Sequence, residues 1–222
     1  MMMQAAEDDD EIFVYTGGDQ VVPQNVRRVR IDRSVKVIPQ RAFEHRTHLI
    51  SVEFHDGIEI IEENAFYRCK KMRGPIKLLG VKIIKVAAFM YCFALADIEF
   101  GDKLETVGDR SFSYCRSLTN FTIPSVKIIE RGAFASCKQL TDLDLPEGLE
   151  TIQRFAFDRC EGLRRIAIPL NCSIGRDVFD LCSNLATVDL IGGIHKTIAS
   201  LHLKRWRSDM KDEINRIKQI LL

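Results

Sequence analysis

Seven cysteines and five histidines are the residues of this 222-residue chain with the most chemistry open to them. Six of the cysteines, Cys69, Cys92, Cys115, Cys137, Cys160 and Cys182, recur every 22 or 23 residues, and Cys172 alone falls outside the series. Thiols in such a series could ligate zinc, form disulfides or act as nucleophiles, and each role needs a particular setting. Structural zinc needs CxxC pairs or a compact Cys/His cluster, which the sequence lacks. A nucleophilic thiolate needs a neighbouring base or cation, whereas these cysteines lie in apolar surroundings. Disulfides need side chains that point toward each other, but equivalent positions of stacked repeats point in parallel. The odd count also favours free thiols. The sequence therefore predicts a reduced, buried ladder of cysteines.

The histidines carry no stronger signal. His45, His48 and His55 lie close together, with His195 and His202 far downstream. Their spacing matches no metal-site pattern and reads as solvated turns. Gly17-Gly18 lacks the Lys-Ser/Thr that follows in a phosphate loop. No nucleophile, base and orienter stand together, so no catalytic residue, cofactor or metal is expected, and an enzyme is the remotest reading.

The cysteines take their meaning from the phenylalanines ahead of them. Phe43, Phe66, Phe89, Phe112, Phe134, Phe157 and Phe179 repeat at the same period, and from the second onward each stands three residues before a cysteine. A repeat this short cannot bury its own core, so each unit is one coil of a solenoid. Within a unit, Leu118, Phe121 and Ile123 read as a turn entering a short strand with alternate residues inward. Pro124 then suits a strand end. Val126 and Ile129 mark a second short β segment, and the stretch around Phe134 and Cys137 has the spacing of one helical turn. The strand pattern recurs at Leu49/Val52/Phe54, Leu95/Ile98/Phe100, Leu140/Leu143/Leu145, Leu163/Ile166/Ile168 and Leu185/Val188/Leu190, and extends back to Val26/Val29/Ile31. One unit slips by a residue: Pro75 and Lys77 occupy the inward positions, and a bulge that advances Ile76 and Leu78 restores them.

Seven residues before each Phe the chain reads Lys36, Glu59, Lys82, Glu105, Lys127 and Glu150. Stacked in parallel, these form an alternating ladder of charge. Each exposed contact contributes only tenths of a kcal/mol. Its larger effect is on register, because a slip by one repeat would oppose like charges.

The ends differ from the repeats, as solenoid ends must. Ile12-Phe13-Val14-Tyr15 and Gln20-Val21-Val22 flank Thr16-Gly17-Gly18-Asp19, which predicts a capping hairpin. Apolar residues from Ala199 through Trp206 to Leu221, spaced by three or four, predict a C-terminal capping helix. The expected divisions are an acidic start over 1–10, the hairpin over 11–25, the solenoid over 26–197 and the helix over 198–222. The net charge of +1 gives no global field to attract nucleic acid or an anionic membrane. No apolar run is long enough to span a bilayer. The acidic start lacks the basic-then-apolar order of a secretory signal, which predicts a cytoplasmic protein and leaves nuclear or surface placement open.

The phrase Ala133-Phe134-Ala135-Ser136-Cys137-Lys138-Gln139-Leu140, continuing through Leu143, Leu145 and Pro146 to Ile152, resembles the BspA-like leucine-rich repeat, also called the Treponema pallidum type. The likeness covers roughly residues 26–198. The closing segment around Gly192-Gly193 and Trp206 resembles the large sets of such proteins in diatoms and other unicellular algae. The resemblance implies an α/β, right-handed leucine-rich solenoid of about eight coils, with a parallel sheet on its concave face. It also implies surface adhesion in the best-known bacterial relatives.

Function is then expected from side chains that alternate with the inward strand positions. These candidates are Glu53, His55, Asp97, Glu99, Asn120, Thr122, Asp142, Asp144, Arg165 and Asp189. Their acidic middle predicts a protein or peptide partner with a basic segment, and a non-catalytic interaction scaffold. A structural or cell-surface adhesin-like repeat protein is the alternative.

Overall fold

The computed structural model describes residues 11–192 and 196–202, together with Arg216 and Gln219. Within them the chain winds into a parallel β-solenoid. Each coil supplies a strand to a first face, a shorter strand to a second face, and a turn that carries the repeated Phe and Cys.

The second face is the more regular. Seven two-residue strands, from Val37–Ile38 to Ser173–Ile174, pair in unbroken parallel order. The second residue of each strand, such as Ile61, Val107 or Ile152, is buried. These strands define about seven full turns. The alternating Lys/Glu positions begin this face, and their backbones are bonded from coil to coil: Glu59 N–H donates to Lys36 O (2.7 Å), Lys82 N–H to Glu59 O (2.8 Å) and Glu105 N–H to Lys82 O (2.9 Å). Among the described residues one side-chain rung of this ladder closes directly, Lys82 Nζ to Glu59 at 2.7 Å. That bond holds the Glu59 carboxyl below its ordinary value.

The first face falls into blocks. Ile12–Tyr15, Arg28–Ile31 and Ser51–Glu53 form one parallel group, and Ile76–Leu78 pairs with Ile98–Phe100. Asp142–Asp144, Arg165–Pro169 and Thr187–Gly192 form a third. The first break is the expected slip. Ile76 and Leu78 are buried while Lys77 faces outward, and Gly74 takes up the extra residue at a φ of +89°. The second break lies at residues 118–123, which bury Leu118, Phe121 and Ile123 without forming a strand.

The turns have a conformation that the sequence reading missed. They are not helical. The residues two before and two after each Phe have positive φ, as at Arg41 and His45, Ala87 and Tyr91, Arg110 and Tyr114, or Gly132 and Ser136. The alternation of left- and right-handed residues turns every second N–H group toward the next coil. Three of them per coil donate to the next coil, as Ala87 does to Asp109 O (2.8 Å), Phe89 to Ser111 O (2.7 Å) and Tyr91 to Ser113 O (2.9 Å). These bonds offset the steric cost of a left-handed L-residue, about 1–2 kcal/mol each.

This backbone spacing sets the core. From Phe43 to Phe179 the rings form one column with centroids 4.8 to 5.9 Å apart and planes within 14° of parallel. Each of the six repeat cysteines donates its thiol to the carbonyl of the Phe one coil earlier: Cys69 to Phe43 (3.1 Å), Cys92 to Phe66 (3.2 Å), Cys115 to Phe89 (3.3 Å), Cys137 to Phe112 (3.4 Å), Cys160 to Phe134 (3.2 Å) and Cys182 to Phe157 (3.0 Å). All seven cysteines are buried, and none is in a disulfide.

Both ends depart from expectation. Ile12–Tyr15 does not fold back as a hairpin. It pairs in parallel with Arg28–Ile31, so it opens the first-face ladder, with Tyr15 buried edge-on against Phe43 at 4.9 Å. At the other end, Lys196–His202 is an antiparallel strand on Thr187–Gly192, where a helix beginning at 198 was expected. The rest of that expected helix lies outside the described residues, apart from Arg216 and Gln219, which are helical. The α/β expectation is corrected accordingly: residues 11–192 are built of strands and turns.

Candidate protein-binding face

The outward residues of the first face were expected to form one acidic surface. The structure divides them by what they contact. Glu53 pairs with Arg30 at 2.6 Å, and Glu99 with Lys77 at 2.9 Å. Asp144 and Asp189 flank Arg165 at 2.7 and 2.6 Å, a three-residue array spanning three coils. Its guanidinium pKa is raised, first by the bond it donates to Asp144 and then by the one it donates to Asp189. Asp189 is buried, so it belongs to the base of the face rather than to its open surface.

His55 is structural. Its Nδ1 accepts from Gly57 N–H at 3.1 Å, which leaves the Nε2 proton to donate to Asp32 O at 2.9 Å. Asn120 is structural as well. Where the ladder lapses at residues 118–123, its Oδ1 accepts the backbone N–H groups of Thr141 and Asp142, each at 3.1 Å. One side chain thus replaces the missing strand carbonyls.

Three candidates remain open. Asp97, Thr122 and Asp142 are exposed, and neither carboxylate enters an ion pair among the described residues. They occupy three successive coils in the middle of the face, around the interrupted ladder. The fold therefore concentrates the expected acidic surface into two carboxylates two coils apart, with Asn120 and Thr122 between them.

The chemistry elsewhere is spare. Among the described residues no three His, Cys, Asp or Glu side chains converge as a metal site, and no helix is long and apolar enough to cross a membrane. Burial pushes the Cys69 thiol up to about 12 and raises Cys92, Cys115, Cys137 and Cys160 well above the ordinary thiol value. Thiols so protonated are packing and donor groups.

One surface feature went unread in the sequence. Along the turns Tyr67, Tyr91 and Tyr114 form a partly exposed aromatic stripe, with Arg68 and Arg116 lying over the rings. The available signal was the aromatic or arginine identity of the residue two after Phe, at Arg68, Tyr91 and Tyr114.

Coil geometry and paired ladders define a repeat protein of the leucine-rich class. The BspA type leucine rich repeat region matches residues 23–127 and 82–200, more than half of the sequence, and the chain belongs to that family. Among solved structures it is similar to the Treponema pallidum leucine rich repeat protein. The two are 26% identical with a TM-score of 0.65, over 78% of this chain and 82% of that one. A leucine-rich repeat protein from Eubacterium ventriosum is 26% identical with a TM-score of 0.61, over 68% of this chain and 42% of the other. One from Bacteroides ovatus shares the fold at 24% identity and a TM-score of 0.61, over 75% of this chain, which spans 50% of that protein's length. No curated protein matches the sequence.

Proposed function

We propose that the chain is a non-catalytic scaffold that binds a protein segment on its first face, at Asp97, Thr122 and Asp142. The observation that supports this reading is selective pairing. Glu53, Glu99, Asp144 and Asp189 each have a cation in a neighbouring coil, whereas Asp97 and Asp142 have none among the described residues. A basic side chain from a partner would gain two carboxylates without breaking an existing ion pair. Interfaces draw specificity from charge matched in this way. The six thiols bonded as S–H donors favour a reducing compartment, since oxidation would remove the donor.

The test is affinity capture with the intact chain, followed by direct binding measurements on each captured protein. The double variant Asp97→Lys/Asp142→Lys should lose binding at least tenfold, while Asp19→Lys/Asp102→Lys, which makes the same charge change elsewhere, should retain it. Equal retention by both variants would reject the face.

A further inference from the structure

The turn edge offers a second surface with the opposite charge. Arg68 lies 5.3 Å from the ring centroid of Tyr67 and 5.4 Å from that of Tyr91. Arg116 lies 5.0 Å from Phe93 and 5.8 Å from Tyr114. Neither guanidinium forms an ion pair among the described residues. This contrasts with Arg30, Lys77, Lys82, Lys85, Lys138 and Arg165, each bonded to a carboxylate of an adjacent coil. The two arginines are instead held by aromatic faces, which fixes the side chains and leaves their N–H groups unclaimed.

The surrounding sequence adds charge of the same sign. Residues 63–73 contain one acidic residue, Glu63, against Arg68, Lys70, Lys71 and Arg73. In residues 109–117, Asp109 is already bonded to Arg131 at 2.9 Å. The edge is thus a basic stripe laid along partly exposed tyrosines.

We propose that this edge binds an extended acidic segment of a protein partner in the polyproline II conformation, with carboxylates on Arg68 and Arg116. Charge and lining support that occupant. Arg68 and Arg116 belong to coils on either side of the Phe89 coil and both reach it, at Tyr91 and Phe93. A polyproline II helix repeats every third residue, so its successive carboxylates can share the one face that meets this edge. Aromatic-lined grooves are a recurrent docking surface for that helix. A single-stranded nucleic acid fits less well, because base stacking needs open ring faces. Here Tyr91 is stacked on Tyr114 at 4.9 Å and meets Tyr67 edge-on at 5.7 Å, while the arginines cover further ring surface.

Fluorescence anisotropy with a labelled peptide of Glu-Pro-Pro repeats tests the proposal on the full chain. The unaltered protein should bind it and should not bind the matching Lys-Pro-Pro peptide. Arg68→Gln/Arg116→Gln should weaken binding at least tenfold with an unchanged melting curve. Lys103→Gln/Lys127→Gln carries the same charge change away from the turn edge and should bind as the unaltered protein does. Failure of the unaltered chain to bind would overturn the proposal, as would equal loss in both variants. Binding of an oligothymidylate in preference to the peptide would overturn it in favour of nucleic acid. The Asp97→Lys/Asp142→Lys variant should keep peptide binding, which separates this edge from the first face.

Discussion

The Sγ of Cys115 donates to the carbonyl oxygen of Phe89 across 3.3 Å, from one coil to the coil before it. The backbone N–H of Cys92 already bonds the same carbonyl at 3.2 Å, so the thiol occupies its second lone pair. This relation explains why cysteine follows phenylalanine by three residues. The side chain must be small and apolar enough for a fully buried site, yet able to donate a hydrogen bond.

Cys115→Ala should therefore cost about 1–3 kcal/mol, combining a lost hydrogen bond with a small cavity. Cys115→Ser keeps a donor but buries a more polar group. Urea denaturation of both variants against the unaltered chain measures the costs. An alanine variant of unchanged stability would show that the bond contributes nothing.

The same burial gives the protein an alkaline weakness. Cys69 is raised from an ordinary 9.0 to about 12, and Cys92, Cys115, Cys137 and Cys160 are also raised well above the ordinary value. Above about pH 9 the unfolded chain releases these protons while the folded chain keeps them. The stabilisation is complete below that pH and declines as pH rises toward the folded values, by about 1.4 kcal/mol per pH unit for each thiol. Urea midpoints between pH 8 and 10.5 should fall steeply, and Cys92→Ala/Cys115→Ala should show a visibly shallower fall.

The left-handed turn residues give a prediction of the opposite sign. Ala87 has a φ of +53°, whereas its neighbour Ala88 is outside the left-handed region. A left-handed alanine costs about 1–2 kcal/mol, and glycine removes that cost while losing about 0.5–1 kcal/mol to chain entropy. Ala87→Gly should thus be neutral or stabilising by up to about 1 kcal/mol, and Ala88→Gly should destabilise. Thermal melts of the two variants should shift in opposite directions, or at least differ in that order.

These turns also mark where sequence reading stopped. The column of Phe and Cys, the inward strand positions and the slip at Pro75 were legible, because each is an apolar pattern with a fixed period. The alternating turn was not. Its positive-φ positions hold Arg41, Ala87, Arg110, Ser136 and Phe155, and only Gly132, Asn64 and Asp177 give the usual signal. The N-terminal hairpin was misread because a Gly-Gly turn between two β-rich runs fits either a hairpin or a longer crossover. Here the parallel ladder offered by Val29 and Ile31 decided the outcome. At the candidate face the outward residues were legible from alternation alone. Their pairing was not, because Arg30 with Glu53, or Lys77 with Glu99, depends on which coils are neighbours in register.

Asn120 lies on the candidate face but carries a structural load. Removing its Oδ1 would leave the Thr141 and Asp142 amides without their acceptor. Asn120→Ala should cost about 1–2 kcal/mol, and hydrogen exchange at those two amides should speed up selectively. Asn120→Asp keeps an acceptor oxygen and should preserve the protection. If both amides exchange as before in the alanine variant, the bridging role is wrong.

The two partners of Arg165 should prove unequal. Asp144 makes the larger contribution to the raised guanidinium pKa, but its side chain is 74% exposed, whereas that of Asp189 is 10% exposed. Stability should follow burial rather than proton affinity, because water screens the Asp144 contact and leaves the Asp189 contact strong. Asp144→Ala should change stability by under about 0.5 kcal/mol. Asp189→Ala leaves a partly buried guanidinium facing a cavity in the base of the sheet and should cost about 2–3 kcal/mol. Denaturant midpoints of the two single variants decide the order, and equal losses would place the stabilising contact at the surface. Arg165→Ala should cost no more than Asp189→Ala if Asp189 has other bonds to rely on. Asp189 does make contacts beyond Arg165, so the aspartate, not the arginine, is expected to be the more costly residue to remove.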